Sequence, residues 1–184
     1  MPFGRAKKQF VPLDEAALHE FAVKTLGRRM RSESELRRLM QSKAERDETG
    51  AAKIAAVVAR LKEYGYLDDA SFAETFARLR QENDKLGQRR VRQALGGKGV
   101  AAAIVNEAVE ARYSQTDEEA LAREHLERKR IRKPESEKET ARVMRRLVTA
   151  GFSSGTIYKI LRQWDVPDEA LAALENLEEE AGEE

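Results

Sequence analysis

Apolar residues recur along this chain at helical spacing. Leu18, Phe21, Ala22 and Leu26 share one helical face, Leu36 and Met40 a second, and Ile54, Val57, Val58 and Leu61 a third. The same succession returns as Phe72, Phe76 and Leu79, then Val91 and Leu95, then Ile104, Val105, Ala108 and Val109. A third round follows, weaker at its start: Leu121, Ala122 and Leu126, then Val143 and Leu147, then Ile157, Ile160 and Leu161. The middle members align best. Leu36-Arg-Arg-Leu-Met40, Val91-Arg-Gln-Ala-Leu95 and Val143-Met-Arg-Arg-Leu147 each pair apolar residues at i and i+4. The last two then reach a glycine and a large apolar residue at one offset, Gly99-Val100 and Gly151-Phe152.

Roughly fifty residues separate successive rounds, a period that marks repeat architectures. The pattern predicts an all-α protein of nine helices in three tandem three-helix repeats, at 14–66, 67–115 and 116–164. A three-helix unit this small buries only one side by itself, so the repeats must stack, and an elongated, curved array is expected. Residues 1–13 form a basic N-terminal arm, expected to be mobile, and 165–184 an acidic C-terminal tail.

Helix punctuation agrees with this division. Ser32-x-x-Glu35, Thr116-x-x-Glu119 and Ser136-x-x-Glu139 are capping-box patterns, and Asp68-Asp69 can cap the helix carrying Phe72. Gly65 and Gly151 are placed to end helices, while Gly87 and Gly96-Gly97-Lys98-Gly99 punctuate the middle set. Between Lys43 and Ile54 the first set carries about four residues more than the others, as a longer polar loop or a helix extension.

Composition narrows the picture. Charged residues make up 36% of the chain and aromatics 6%, with Ala, Leu, Glu, Arg and Lys abundant, which speaks against all-β and α/β folds. The absence of cysteine excludes a disulfide framework and Cys-ligated zinc or iron-sulfur sites, and fits a reducing compartment. No stretch is apolar enough to cross a membrane, and the first ten residues lack the apolar run of a secretion signal, so a cytoplasmic protein with no membrane partner is expected. Residues 165–184 hold nine acids and no base, leaving 34 bases against 24 acids in residues 1–164. So basic a body points to an acidic or polyanionic partner.

Candidate chemistry is sparse. His19 and His125 each stand alone on a helix, outside any paired metal-ligand spacing. Gly97-Lys98 lacks the following Ser/Thr and the preceding strand of a phosphate loop. The acids lie at i, i+3 and i, i+4 from bases, as on a solvated helix face. No catalytic residue, metal site or cofactor is expected. The bases are better organised: Arg90 aligns with Arg142, Arg38 with Arg145 and Arg37 with Arg92. Stacked repeats would join them into one basic band, entered by Arg28, Arg29 and Arg31 at one end and by Lys129, Arg130, Arg132 and Lys133 near the other. The candidate binding residues are Arg29, Arg31, Arg37, Arg38, Arg89, Arg90, Arg92, Lys98, Arg142, Arg145 and Arg146. Forked guanidinium groups suit carboxylates and phosphates. Phe21, Phe72, Phe76, Phe152 and Tyr158 fall at core spacing, and Tyr64, Tyr66 and Trp164 are expected to plug repeat junctions, leaving few aromatics to stack on bases. Residues 89–109 have a helix-turn-helix outline, but the second helix offers only Asn106 and Glu107, with no arginine, where a DNA reader would touch bases.

Four patches of this sequence resemble the RecX regulatory proteins of bacteria. They are Arg29-Met-Arg-Ser-Glu-Ser-Glu-Leu36 with Leu39 and Lys43; Gly65-Tyr-Leu-Asp-Asp-Ala-Ser-Phe-Ala73; Gly87-x-x-Arg90-Val91-x-x-x-Leu95-x-x-Lys98-Gly99-Val100; and Leu147-x-x-x-Gly151-Phe152 with Ile157. They span about residues 16–164 in the family's order. The longer segment after Lys43, Ala94 in place of an acid, and the acidic tail depart from its pattern. The resemblance implies three tandem three-helix units and a monomer that binds the RecA recombinase filament, with single- or double-stranded DNA as a further partner. It implies modulation, in the family usually inhibition, of recombinase, ATPase and co-protease activities, and leaves inhibitor or stimulator open for this chain. The rival reading is a helical protein that binds DNA directly, without RecA.

Overall fold

The computed structural model describes residues 11–166, and most of the N-terminal arm and of the acidic tail lies outside the described residues. Nine α-helices occur among the described residues: α1 (Glu15–Arg28), α2 (Glu33–Gln41), α3 (Glu48–Glu63), α4 (Asp69–Asp84), α5 (Gln88–Gly97), α6 (Ala102–Tyr113), α7 (Glu118–Arg128), α8 (Glu137–Ala150) and α9 (Ser154–Gln163). They form two compact units. One takes the described residues through Phe72 together with Lys98–Val100; the other takes Ala73–Gly97 and the described residues from Ala101 onward.

In the first unit α1, α2 and α3 pack on one another. Their shared core is Leu18, Ala22, Leu36, Met40, Ile54, Val57, Val58 and Leu61, with Ala44 and Leu67 closing it and Phe21 and Leu26 at its edge. The longer segment after Lys43 proves to be a helix extension. Asp47 accepts the Gly50 amide at 2.9 Å and starts α3 early, so α3 has 16 residues where α6 has 12 and α9 has 10. Ser32 heads α2 in a complete capping box with Glu35.

The second unit joins α4 from Ala73 onward, α5 and α6 to α7–α9. Val91 and Leu95 of α5 are buried, as are Val143 and Leu147 of α8 and Ile157, Ile160 and Leu161 of α9, so the i, i+4 pairs mark the inward faces. Phe152 follows the left-handed Gly151 that caps α8, and is 1% exposed. Tyr113 donates its hydroxyl to the Leu86 carbonyl at 2.8 Å, tying the end of α6 to the turn before α5.

Three local expectations are corrected. Asp117, not Thr116, caps α7, because its carboxylate reaches both the Glu119 and Ala120 amides, at 3.0 and 3.1 Å; the Thr116 hydroxyl donates back to the Arg112 carbonyl. Only half of the Ser136 box forms: Ser136 accepts the Glu139 amide, but the Glu139 carboxylate takes the Glu135 amide at 2.9 Å. Tyr64 and Tyr66 plug nothing within their unit. They flank Gly65, whose φ of +69° turns the chain out of α3, and are 62% and 59% exposed while Leu67 enters the core.

Candidate functional site

The second unit brings arginines together through its backbone. The Gly87 amide donates to the Ala150 carbonyl at 2.8 Å and the Arg89 amide to the Gly151 carbonyl at 3.3 Å. The carbonyls of Ala150, the last residue of α8, and of its cap Gly151, which have no partner inside that helix, are thereby satisfied by the start of α5. Arg90 of α5 then stands near Arg142, Arg145 and Arg146 of α8, around a cleft of about 760 Å³. Lys129, at the end of α7, and Arg80, on α4, complete its basic rim. Asp84 lines the cleft too, and Arg80 holds it at 2.6 Å. Among the described residues no carboxylate lies within ion-pair distance of Arg90, Lys129, Arg142, Arg145 or Arg146.

Leu86, Ile131, Thr149 and Ala150, with the ring of His125, line the rest of the cleft. His125 is 5% exposed, meets Phe152 edge to face at 5.7 Å, and has Nδ1 3.2 Å from the Asp84 carbonyl. Burial pushes its pKa down, only partly offset by that hydrogen bond, so the ring is neutral near pH 7. A second, smaller cleft shares Arg142 and Arg146 and adds Arg130, Arg132 and Lys133. Lys133 pairs with Asp165 at 2.8 Å, close to the last described residue.

Aligned positions have different fates. Arg37, Arg92 and Met144 each follow the first buried apolar residue of their helix (Leu36, Val91 and Val143), where a side chain lies half inward. Met144 is core, Arg37 bonds Glu33 at 2.7 Å, and Arg92 turns toward Glu110 at 3.8 Å. Arg90 and Arg142, one before that residue, and Arg38 and Arg145, two after it, are all exposed, whereas Glu35, one before Leu36, is partly buried against Lys98. Arg89 is exposed as well, within electrostatic reach of Glu118.

In the first unit, Lys98 bonds Glu35 at 2.7 Å and lies 6.0 Å from the Phe72 ring centre, while its carbonyl accepts the Ser32 hydroxyl at 2.6 Å. Burial works against the charge on Glu35, but Lys98 outweighs it and holds the carboxyl below its ordinary range. Arg29 approaches the same carboxylate at 4.0 Å and is otherwise exposed, and Arg31 is half-buried. Lys98 and Arg37 therefore serve packing, whereas Arg29 and Arg38 face solvent.

Sequence reasoning passed over Arg80, because its i, i+4 pairing with Asp84 reads as an ordinary surface pair. It also passed over Glu118, whose carboxylate accepts the Ser153 amide at 3.0 Å, the Thr156 hydroxyl at 2.6 Å and the Ser153 hydroxyl, fastening α7 to the start of α9. Burial opposes the Glu118 charge, but these donors together hold its pKa down. Among the described residues no three acids or histidines group as a metal site would require, and no helix is long and apolar enough to cross a membrane.

Residues 68–109, which span α4, α5 and all but the last turn of α6, match the family model described as RecX, second three-helix domain. The crystal structure of RecX from Lactobacillus salivarius superposes with a TM-score of 0.63 at 20% identity, covering 83% of this chain and 97% of that one. A further crystal structure of a regulatory protein RecX gives a TM-score of 0.65 at 21% identity, over 81% of this chain and 71% of that one. These likenesses establish the shared all-α fold. The regulatory protein RecX of Oceanobacillus iheyensis is 31% identical over 147 residues, 78% of this chain, which spans about half (52%) of that relative's length. The regulatory protein RecX of Leptothrix cholodnii is 33% identical over 144 residues, covering 78% of this chain and 87% of the relative. With a third of the residues shared across most of that protein, and the helices of the family's second domain in place, this chain belongs to the RecX family of regulatory proteins.

Proposed function

We propose that this chain binds the RecA recombinase filament and inhibits its recombinase, ATPase and co-protease activities, as a cytoplasmic monomer that catalyses nothing itself. The observation that carries this reading is the convergence of Arg90, Arg142, Arg145 and Arg146 without described acidic partners, on a protein whose relatives are named regulatory proteins. Such a surface favours acidic side chains and phosphates, which a nucleoprotein filament offers together. We assign filament contact to these four residues with Arg29, Arg38 and Arg89, and a positioning role to Arg31, Arg37, Arg92 and Lys98. The division into repeats at 14–66, 67–115 and 116–164 belongs to the same proposal, each repeat supplying one arginine-bearing middle helix.

The deciding experiment is RecA-catalysed, single-strand-dependent ATP hydrolysis followed as this protein is titrated in. Progressive loss of hydrolysis supports the reading; an unchanged rate with intact filaments at excess protein overturns it.

Direct DNA binding without RecA is the second reading. It draws on the same arginines and on the exposure of Tyr64 and Tyr66, which can stack on unpaired bases. Fluorescence anisotropy on single- and double-stranded oligonucleotides, with RecA omitted, separates the two.

A further inference from the structure

We propose that the arginine-lined cleft of the second unit binds a nucleoside polyphosphate as a small-molecule ligand. Its volume of about 760 Å³ lies in the range typical of small-molecule sites. Its rim gathers Arg90 from α5, Arg142, Arg145 and Arg146 from α8, and Lys129 from the end of α7. Other arginines of this unit have carboxylate partners, as Arg78 and Arg112 do in Glu82 and Arg123 in Glu119, at 2.8–3.0 Å. A surface built only for solubility would intersperse acids among these five cations as well. Asp84 is the one acid of the lining, and Arg80 already holds it. Mutual repulsion inside a concavity disfavours the empty site, and a bound polyanion relieves it.

The kind of anion follows from density of charge and from the floor. Neighbouring side chains on one face of a helix or sheet have Cβ atoms about 4.5–6 Å apart and carry at most one charge each, so few peptide carboxylates reach one cleft at once. A polyphosphate chain packs three or four charges into that distance and accepts bidentate hydrogen bonds from guanidinium forks. An inorganic chain would leave the partly exposed Leu86 and Ile131 uncovered, whereas the base and sugar of a nucleotide can bury them beside the neutral His125 ring. The Gly87–Ala150 and Arg89–Gly151 backbone hydrogen bonds hold α5 against α8, so the arginine stems are positioned before any ligand arrives.

This assignment stands apart from the RecA reading, because it concerns the chain alone. The two meet at Arg90, Arg142, Arg145 and Arg146, so a bound nucleotide would compete with a filament for them.

Isothermal titration calorimetry on the full chain tests it, at physiological ionic strength and without Mg²⁺. ATP, GTP, inorganic tripolyphosphate and an octaglutamate peptide are the probes. A single saturable site is expected for one or both nucleotides, about tenfold tighter than for tripolyphosphate. The paired substitution Arg142→Ala with Arg146→Ala should weaken nucleotide binding at least about tenfold, since each removes a charge-assisted contact. Ile131→Gln should weaken the nucleotide and leave tripolyphosphate unchanged. Arg78→Ala with Arg123→Ala, outside the cleft, should change neither, and circular dichroism confirms that each variant is folded. No saturable binding of either nucleotide up to millimolar concentration overturns the proposal. So does tripolyphosphate or octaglutamate binding as tightly as nucleotide, or an equal loss in the outside variant.

Discussion

Gly151 lies so close to Arg90 that a Cβ on the glycine would stand 2.2 Å from the Arg90 backbone nitrogen. Gly151 also has a φ of +91°, in the left-handed region that other residues rarely adopt. An aligned relationship joins Gly99 to Ser34, with φ +75° and a Cβ only 2.3 Å from the Ser34 hydroxyl. Each glycine thus lies against the first turn of a helix, α5 for Gly151 and α2 for Gly99. The carbonyl before each glycine takes a donor there, Ser32 for Lys98 and Gly87 for Ala150. Gly151→Ala should cost about 2–4 kcal/mol, from left-handed strain and a backbone that cannot yield. Gly155→Ala, with open space around it, should be neutral or slightly stabilising because alanine favours the helix. Thermal melting of the two variants checks this, and equal melting temperatures would contradict it.

Charge reversal separates binding from folding. Arg90→Glu combined with Arg145→Glu should abolish inhibition of RecA-dependent ATP hydrolysis and shift stability by no more than about 0.5 kcal/mol, since the replaced groups are exposed. Arg92→Glu should act less on inhibition, because Arg92 already turns toward Glu110. Loss of inhibition only alongside loss of the folding transition would count against the assignment.

His125 should make stability fall in mild acid. Burial holds its folded pKa below the ordinary 6.5. As pH drops through about 6.5 the unfolded chain takes up a proton that the folded chain still refuses, so stability declines below that pH and is unaffected above it. His125→Phe, which keeps a ring against Phe152, should flatten the decline. Urea midpoints from pH 7.5 to 5.5 read it out; identical slopes in both proteins would exclude His125 as the cause.

The acidic tail makes a prediction from charge alone. Residues 178–184 carry five acids and no base, and Asp165, at the approach to that tail, pairs with Lys133 in the smaller basic cleft. A tethered anion competes with phosphate at high local concentration. Deleting residues 178–184 should tighten binding to bare DNA at low salt more than binding to a RecA filament, where shape-specific contacts also count. Fluorescence anisotropy giving the same DNA affinity with and without the tail would reduce it to a solubility element.

The helices and their inward faces were legible without coordinates, because burial of one stripe is a local property that repeats every three to four residues. Leu36 and Met40, Val91 and Leu95, and Val143 and Leu147 announce it, and the alignment of these pairs also located the arginines. Partnership among those arginines was not legible. Arg37 and Arg92 occupy aligned positions with Arg38 and Arg145 nearby, yet a carboxylate within reach, Glu33 or Glu110, draws the first two away from solvent. Arg80 reaches the cleft from α4 and Lys129 from α7, remote in sequence from Arg142. Tyr64 and Tyr66 follow a stretch of core spacing but face water, since the left-handed Gly65 turns the chain between them. Amphipathic period fixes which side of each helix is buried. Which charged side chains end with a partner depends on how close other elements bring their carboxylates, and ion-pair energies change over a few ångströms that no local pattern records.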